Sequence, residues 1–323
     1  MATLIDLRRR IRSVQNTQKI TRAMKLVSAA KLRRAQERVF NARPYSDQML
    51  KVLKSLARRA EVRRHPLLEK RPEERILVLV LSGDKGLCGP FNTNVLRLAE
   101  RFLAAHRDGY EPELIAIGRK GRDFFRRRKV QLRAEHINVF LRAVEYAQAR
   151  EIAAEVIQLY TKKETDAVYL IYNEFKSLLA QRLVTEKLLP LEGVAPTRLE
   201  GPLAVPGGEA YDRGAGAVAP SGVEGSAAEG RAHGEGAGEV DYIYEQPPAE
   251  LFERLLPRHV EMQVYRALLE SGAAEQAARM TAMDAATNNA TEMIEHLTLT
   301  MNKARQAQIT RELIEIVSGA AAL

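Results

Sequence analysis

The stretch Glu250–Ala320 has no proline after Pro257 and only two glycines, Gly272 and Gly319. Proline, which lacks an N–H and clashes with the preceding turn, and glycine, which is conformationally loose, are the main terminators of helical sequence. One continuous helix is therefore predicted. At ~1.5 Å of rise per residue it is about three times as long as a small domain is wide, so most of it cannot be buried in a core of its own making. A helix of that length needs a partner along its side.

The other end of the chain carries a second such segment, from residue 3 to about 61, in which only Pro44 interrupts. Leu4, Leu7, Ile11 and Val14 follow the three-four spacing of a coiled-coil seam. The same register continues through Gln18, Thr21, Lys25, Ser28, Leu32, Ala35 and Val39, so the middle of the seam is polar or small where a zipper would place leucine. Pro44 is expected to mark a kink and not an end, because Met49, Val52, Leu53 and Leu56 resume the helical period. Residues 1–64 hold 18 Lys and Arg against four acids, while the whole chain is only +9. Such a basic end suits nucleic acid, anionic lipid or an acidic protein surface, and charge alone does not choose among them.

Between the two ends the period changes. Ile76–Leu81 is a continuous β-favouring run, suited to a strand covered on both faces. Helices are expected at Asn92–His106, Arg119–Arg128 and about Phe140–Tyr160, with further strands at Glu113–Ile117, Ala167–Tyr172 and Arg182–Leu188. This alternation predicts an α/β layer with a largely parallel sheet. Eleven of the chain's 20 glycines then fall between Gly201 and Gly238. That acidic segment buries too little apolar surface to offset its ordering entropy, and a flexible insert is expected there. The organisation read from the sequence is thus an N-terminal helix over 1–64, a globular domain over 70–192, an insert over 193–240 and a C-terminal helix over 241–323.

No apolar run approaches the length of a membrane span, and the N-terminus has no apolar signal core, so a soluble or membrane-peripheral protein in a reducing compartment is expected. The loop Ser82–Pro90 follows a buried strand and precedes a helix, where phosphate-binding loops sit. Its glycines, at 83, 86 and 89, fit neither G-x-G-x-x-G nor G-x-x-x-x-G-K-[ST], and a structural turn is expected. Cys88, the single cysteine, has no histidine near it in sequence and reads as a packed residue, not a nucleophile. The six histidines show no ligand spacing, so neither metal nor cofactor is expected, and no paired acids or Ser/His/Asp arrangement suggests catalysis. The blocks at Arg8–Arg10 and Lys31–Arg34 allow a basic zipper that reads nucleic acid, although such a protein places its leucines after its basic region, not within it.

Four longer motifs and two short ones carry a family resemblance. The run R-I-R-S-V-Q-N-T-Q-K-I-T-R-A-M-K-L-V-S-A-A-K over Arg10–Lys31 resembles the N-terminal helix of the gamma subunit of F-type ATP synthases. E-Q-A-A-R-M over Glu275–Met280, N-K-A-R-Q-A over Asn302–Ala307 and I-T-R-E-L-I-E-I-V-S-G-A over Ile309–Ala320 are similar to the same family's C-terminal end. The loop Gly86–Gly89 and the run Leu188–Leu191 match as well, so the resemblance spans nearly the whole chain except the insert. It implies a long antiparallel coiled coil of the terminal helices plus a Rossmann-like α/β domain, a non-catalytic chain that turns as the central rotor shaft.

The resemblance also implies partners: three alpha and three beta subunits around the shaft, an epsilon subunit, and the membrane c-ring at the base. It implies a peripheral place on the cytoplasmic side of a bacterial cell inner membrane, and no nucleic acid. Arg305, Gln306 and Thr310 match positions that meet the catch loop of a beta subunit. Met24 with Lys25 matches the place where the N-terminal helix meets an acidic lever of beta, and Arg279 and Glu315 match positions linked to coupling. Ala277, Ala278, Ala282, Ala285 and Ala286 are expected to let the two backbones approach closely. The insert stands where chloroplast relatives carry a redox-regulated one, and without a cysteine pair it is expected to hold no dithiol switch.

Overall fold

The computed structural model describes residues 3–59, 65–106, 111–178, 180–191 and 247–321. The expected insert lies outside the described residues. The chain forms α1 (Leu4–Arg59), a short 3-10 turn (Pro66–Leu68), β1 (Arg75–Leu81), α2 (Phe91–Ala105), β2 (Glu111–Ile117), α3 (Arg119–Arg127), β3 (Leu132–His136), α4 (Tyr146–Thr161), β4 (Ala167–Phe175), β5 (Gln181–Leu189) and α5 (Pro248–Ala321). At its start α1 is capped reciprocally: the Asp6 N–H donates to Thr3 Oγ1 at 3.2 Å and the Thr3 N–H to Asp6 Oδ2 at 3.3 Å. It continues through Pro44, as α5 does through Pro257.

α1 and α5 pack antiparallel: Gln18 reaches Thr291, Thr21 meets Thr287 and Lys25 meets Asp284. Every residue of the predicted α1 seam from Leu4 to Val39 is buried or half-buried, including the polar ones. The α5 helix answers with Gln276, Met280, Met283, Thr287, Ala290, Ile294, Leu297 and Met301 at the same three-four spacing. Ala277 is buried and Ala278, Ala282 and Ala286 are half-buried, but Ala285 faces solvent. It falls on the outer side of the helix, where a small residue helps no close approach.

The sheet has the order β3-β2-β1-β4-β5, parallel except for the β4–β5 pair. Alternate strand residues serve two cores. Ile76, Val78 and Val80 pack with Leu114, Ala116, Tyr169 and Ile171 beneath α2 and α3. Leu77, Leu79 and Leu81 face the other way and share one core with Leu32, Val39, Leu53 and Leu56 of α1 and with Phe252, Leu256, Val264 and Leu268 of α5. The sheet therefore lies directly on the base of the helical pair. Cover along α5 falls off in steps: α1, α4 and the sheet enclose its first half, α1 alone pairs with it to about Ala304, and residues 305–314 and 316–318 are all exposed.

Two elements differ from the sequence reading. β3 was not expected: it is a five-residue edge strand with a half-buried/exposed alternation, and Arg133 and Glu135 on its outer side blur any apolar run. α4 begins at Tyr146 and not near Phe140, because residues 138–140 are held as a loop by hydrogen bonds to Asp84.

The packing gives a contrast that urea unfolding can read. Leu53 is fully buried at the base of the pair and Leu26 is 65% exposed one face away from the seam. Leu53→Ala is expected to lower stability by about 2–5 kcal/mol, and Leu26→Ala to leave it within about 0.5 kcal/mol.

Candidate functional site

The loop at the carboxyl end of β1 is built around Asp84, which is 5% exposed. Its carboxylate accepts the backbone N–H groups of Arg119 at 2.9 Å, Asn138 at 2.8 Å and Phe140 at 2.8 Å. Backbone amides converging at the ends of parallel strands and at a helix start are what phosphate groups use in nucleotide folds. Here the chain's own acid fills that seat. Ser82 closes the loop from beneath: its hydroxyl donates to the Ile117 carbonyl at 3.1 Å and accepts from the Gly121 N–H at 2.8 Å. Gly118 sits at φ +96, and a Cβ there would lie 2.0 Å from the Ser82 carbonyl oxygen, so only glycine fits. Cys88 is buried, and burial pushes its thiol pKa up, away from a reactive thiolate. The loop is structural, as its glycine spacing predicts.

Arg279 ties this loop to α5. It is 7% exposed, donates from Nε and Nη2 to the Gly86 carbonyl at 3.3 Å each, and from Nη1 to Gln276 Oε1 at 3.1 Å. Its Nη2 also pairs with the buried Glu275 carboxylate. Burial raises the Glu275 pKa and the neighbouring guanidinium opposes that rise. Arg279 thus braces the chain from within.

The other predicted contact residues lie farther along the helical pair. Lys25 Nζ is 2.5 Å from Asp284 Oδ1, and Met24 beside it is half-buried. Arg305, Gln306 and Thr310 are exposed on the part of α5 that α1 does not cover, with the Thr310 hydroxyl donating to the Gln306 carbonyl at 3.0 Å. Glu315 belongs to the same stretch of helix. The residues therefore form two groups and not one site: an internal brace at the base, and an open set at the tip among the exposed Ile309, Leu313, Ile314, Ile316 and Val317.

Sequence reading missed a buried polar cluster where α5 crosses β4 and β5. The Tyr172 hydroxyl donates to Glu186 Oε2 at 3.0 Å, Arg266 lies 3.5 Å from Glu186 and 3.7 Å from Glu270, and Arg43 of α1 lies 4.0 Å from Glu270. Burial, partly offset by Arg266, pushes the Glu270 pKa up to about 7. Nearby, burial and then Arg266 push His259 down to about 4. The available signal was Arg266 and Glu270 at an i, i+4 spacing inside an otherwise apolar stretch; on its own that spacing reads as an ordinary surface pair. Among the described residues no group of His, Cys, Asp and Glu could hold a metal ion.

A family model described as ATP synthase matches residues 3–323. The ATP synthase gamma chain of Solibacter usitatus (strain Ellin6076) is 48% identical over 326 residues, covering 100% of this chain and 99% of that one. This chain belongs to the ATP synthase gamma chain family. The gamma chain of Desulfitobacterium hafniense (strain DSM 10664 / DCB-2) is 44% identical over 323 residues and is matched over 100% of both chains. Two solved structures share the fold. A chain of the Euglena gracilis mitochondrial ATP synthase (OSCP/F1/c-ring, rotational state 3) has a TM-score of 0.60 at 20% identity, covering 99% of this chain and 94% of that one. A chain of the Tetrahymena thermophila mitochondrial ATP synthase central stalk and c-ring has a TM-score of 0.54 at 24% identity, covering 83% and 99%. Gamma chains are non-catalytic subunits of the F-type, proton-transporting rotary enzyme, and the plugged loop of this one fits that class.

Two measurements test the electrostatics of this gamma chain. Asp84→Ala strands three buried N–H groups, and a loss of about 2–4 kcal/mol in urea unfolding is expected, against little change for the half-exposed Asp123→Ala. Glu270 has a folded pKa above its ordinary 4.5, so its contribution to stability is complete below about 4.5 and is lost as pH rises to about 7. Glu270→Gln is therefore expected to gain on wild type across that window, by at most about 1.4 kcal/mol per pH unit, and to hold a constant margin above it. His259 has the opposite sign, its contribution being lost as pH falls from about 6.5 to 4, so the comparison is made between wild type and variant at each pH.

Proposed function

We propose that this chain is the central rotor shaft of an F-type ATP synthase, coupling proton flow through a membrane c-ring to ATP synthesis or hydrolysis on the beta subunits. In this reading three alpha and three beta subunits surround the helical pair and an epsilon subunit joins it near its base. The complex holds the chain peripherally on the cytoplasmic side of the cell inner membrane. No described helix is long and apolar enough to cross a membrane. The observation that carries the proposal is the tip of α5: a bare helix studded with Ile309, Leu313, Ile314, Ile316 and Val317, 45–68% exposed, beyond a two-helix shaft. Such a surface needs an enclosing partner. The basic zipper reading has no comparable support, since the α1 seam is already taken by α5.

A single shaft has no threefold symmetry, so three equivalent beta subunits around it each meet a different face. Each is biased toward a different nucleotide affinity, and turning the shaft passes those biases from one subunit to the next. Arg305, Gln306 and Thr310 carry exposed polar groups that suit contact with a catch loop. Met24 and Lys25 are assigned to the acidic lever of beta, and contact there has to compete with the Lys25–Asp284 pair. Arg279 acts at one remove, by fixing the Gly86 loop to the shaft. Glu315 is assigned to coupling at the tip.

Rotation of a labelled shaft in a reconstituted alpha-beta-gamma complex tests the proposal. Unidirectional turning during ATP hydrolysis is expected, with hydrolysis arrested when the shaft is cross-linked to beta; full coupled hydrolysis with a locked shaft would overturn the rotor reading. The double variant Arg305→Ala, Gln306→Ala removes charge-assisted and neutral hydrogen bonds, and about a tenfold loss of coupled proton pumping is expected. Unchanged pumping would remove these residues from the contact.

A further inference from the structure

An open cleft with about 200 Å³ of free space lies where α1, the loop before α4, and α5 meet. Its walls include Phe140 and Val144, 9% and 8% exposed, and Gly272, whose missing side chain leaves the Phe140 ring open to the cleft: a Cβ there would stand 3.5 Å from the ring. Around the mouth stand four cations. Lys31, Arg34 and Arg38 fall at i, i+3 and i+7 on one face of α1, and Arg142 faces them from the loop.

Arg34, Arg38 and Arg142 form no hydrogen bond or ion pair with another described residue, and Lys31 has only a longer-range attraction to the Glu275 carboxylate, whereas the neighbouring Arg33 pairs with Glu37 at 3.4 Å. Four cations around one small cleft repel one another, and the one acid among the lining residues, Glu275, is already paired with Arg279, so a positive potential stands over an apolar floor. An anion relieves that repulsion, and arginine suits phosphate through its forked donors. The free space is below the range of a whole drug-sized site, so it takes a planar ring while the charged part stays outside among the cations. Glu275 also lines the cleft, and its Oε2 is buried without a hydrogen-bond partner, an acceptor for an amino group on such a ring.

We infer that this cleft between the helical pair and the loop before α4 binds a small organic phosphate, a flat heterocyclic ring seated against Phe140 with its phosphates held by Arg38, Arg142, Lys31 and Arg34. The site is separate from the loop at Asp84, whose amides are already filled, and it makes the chain a ligand-binding element in its own right.

Isothermal titration of the isolated full-length chain with ADP, at low salt, tests this. One saturable site is expected, with pyrophosphate and adenosine each at least about tenfold weaker, because each lacks one half of the recognition. Arg38→Ser with Arg142→Ser is expected to weaken ADP by about tenfold or more. Arg8→Ser with Arg12→Ser, the same change of charge on α1 away from the cleft, is expected to stay within about twofold. The melting temperature of each double variant, expected to match wild type, separates lost binding from lost fold. Absence of saturable ADP binding overturns the inference. So does pyrophosphate binding as tightly as ADP, which describes a bare charge patch, or an equal loss in both double variants.

Discussion

A helix satisfies its own backbone, but an apolar stripe as long as that of α5 must be covered by something outside it. At ~1.5 Å per residue, α5 reaches about 110 Å and α1 about 85 Å, so the cover has to come from the other end of the same chain and then runs out. The remaining structure follows from that constraint. The sheet presents one face to the helical base and the other to α2 and α3, so head and shaft share a core instead of meeting across a hinge.

The antiparallel seam is built from two chemistries. At the base Leu32, Val39, Leu53 and Leu56 are buried, each contributing about 1.5–3 kcal/mol by transfer from water. In the middle, the Thr21–Thr287, Gln18–Thr291 and Lys25–Asp284 contacts replace them, each with a net contribution of about 0.5–1.5 kcal/mol, before Leu7 and Leu297 are buried again toward the tip. The pair is therefore fastened most firmly where the sheet supports it and most lightly across its polar middle. The brace from Arg279 to the Gly86 carbonyl lies at the boundary between the two regimes.

Periodicity made most of this legible. Both long helices, the β1 strand and the seam from Leu4 to Val39 follow from spacing alone, because long repetitive patterns average out local ambiguity. β3 and the start of α4 did not, since a short charged edge strand has no apolar run and the α4 start depends on a carboxylate 56 residues earlier in the chain. Arg305, Gln306 and Thr310 are exposed, and their assignment rests on the motif alone. The inward setting of Arg279 was not legible, because an arginine in a helical repeat reads as surface unless its acceptor is known. The Glu270 cluster stayed hidden for the same reason: its partners Glu186, Tyr172 and Arg43 come from three other elements.

The stepwise uncovering of α5 has a mechanical consequence. Bending and torsional stiffness rise steeply with the cross-section of a rod, so the block in which both helices sit against the sheet is the stiffest part of the molecule. The two-stranded stretch is more compliant, and the single helix beyond Ala304 is softer still. Torque applied at the base is thus delivered through a spring of graded compliance. Inside the enclosing partner proposed above, the last exposed turns act as a pin in a sleeve, and twist within the two-helix stretch is taken up around Lys25 and Asp284, where polar contacts can slip and re-form without breaking a packed core.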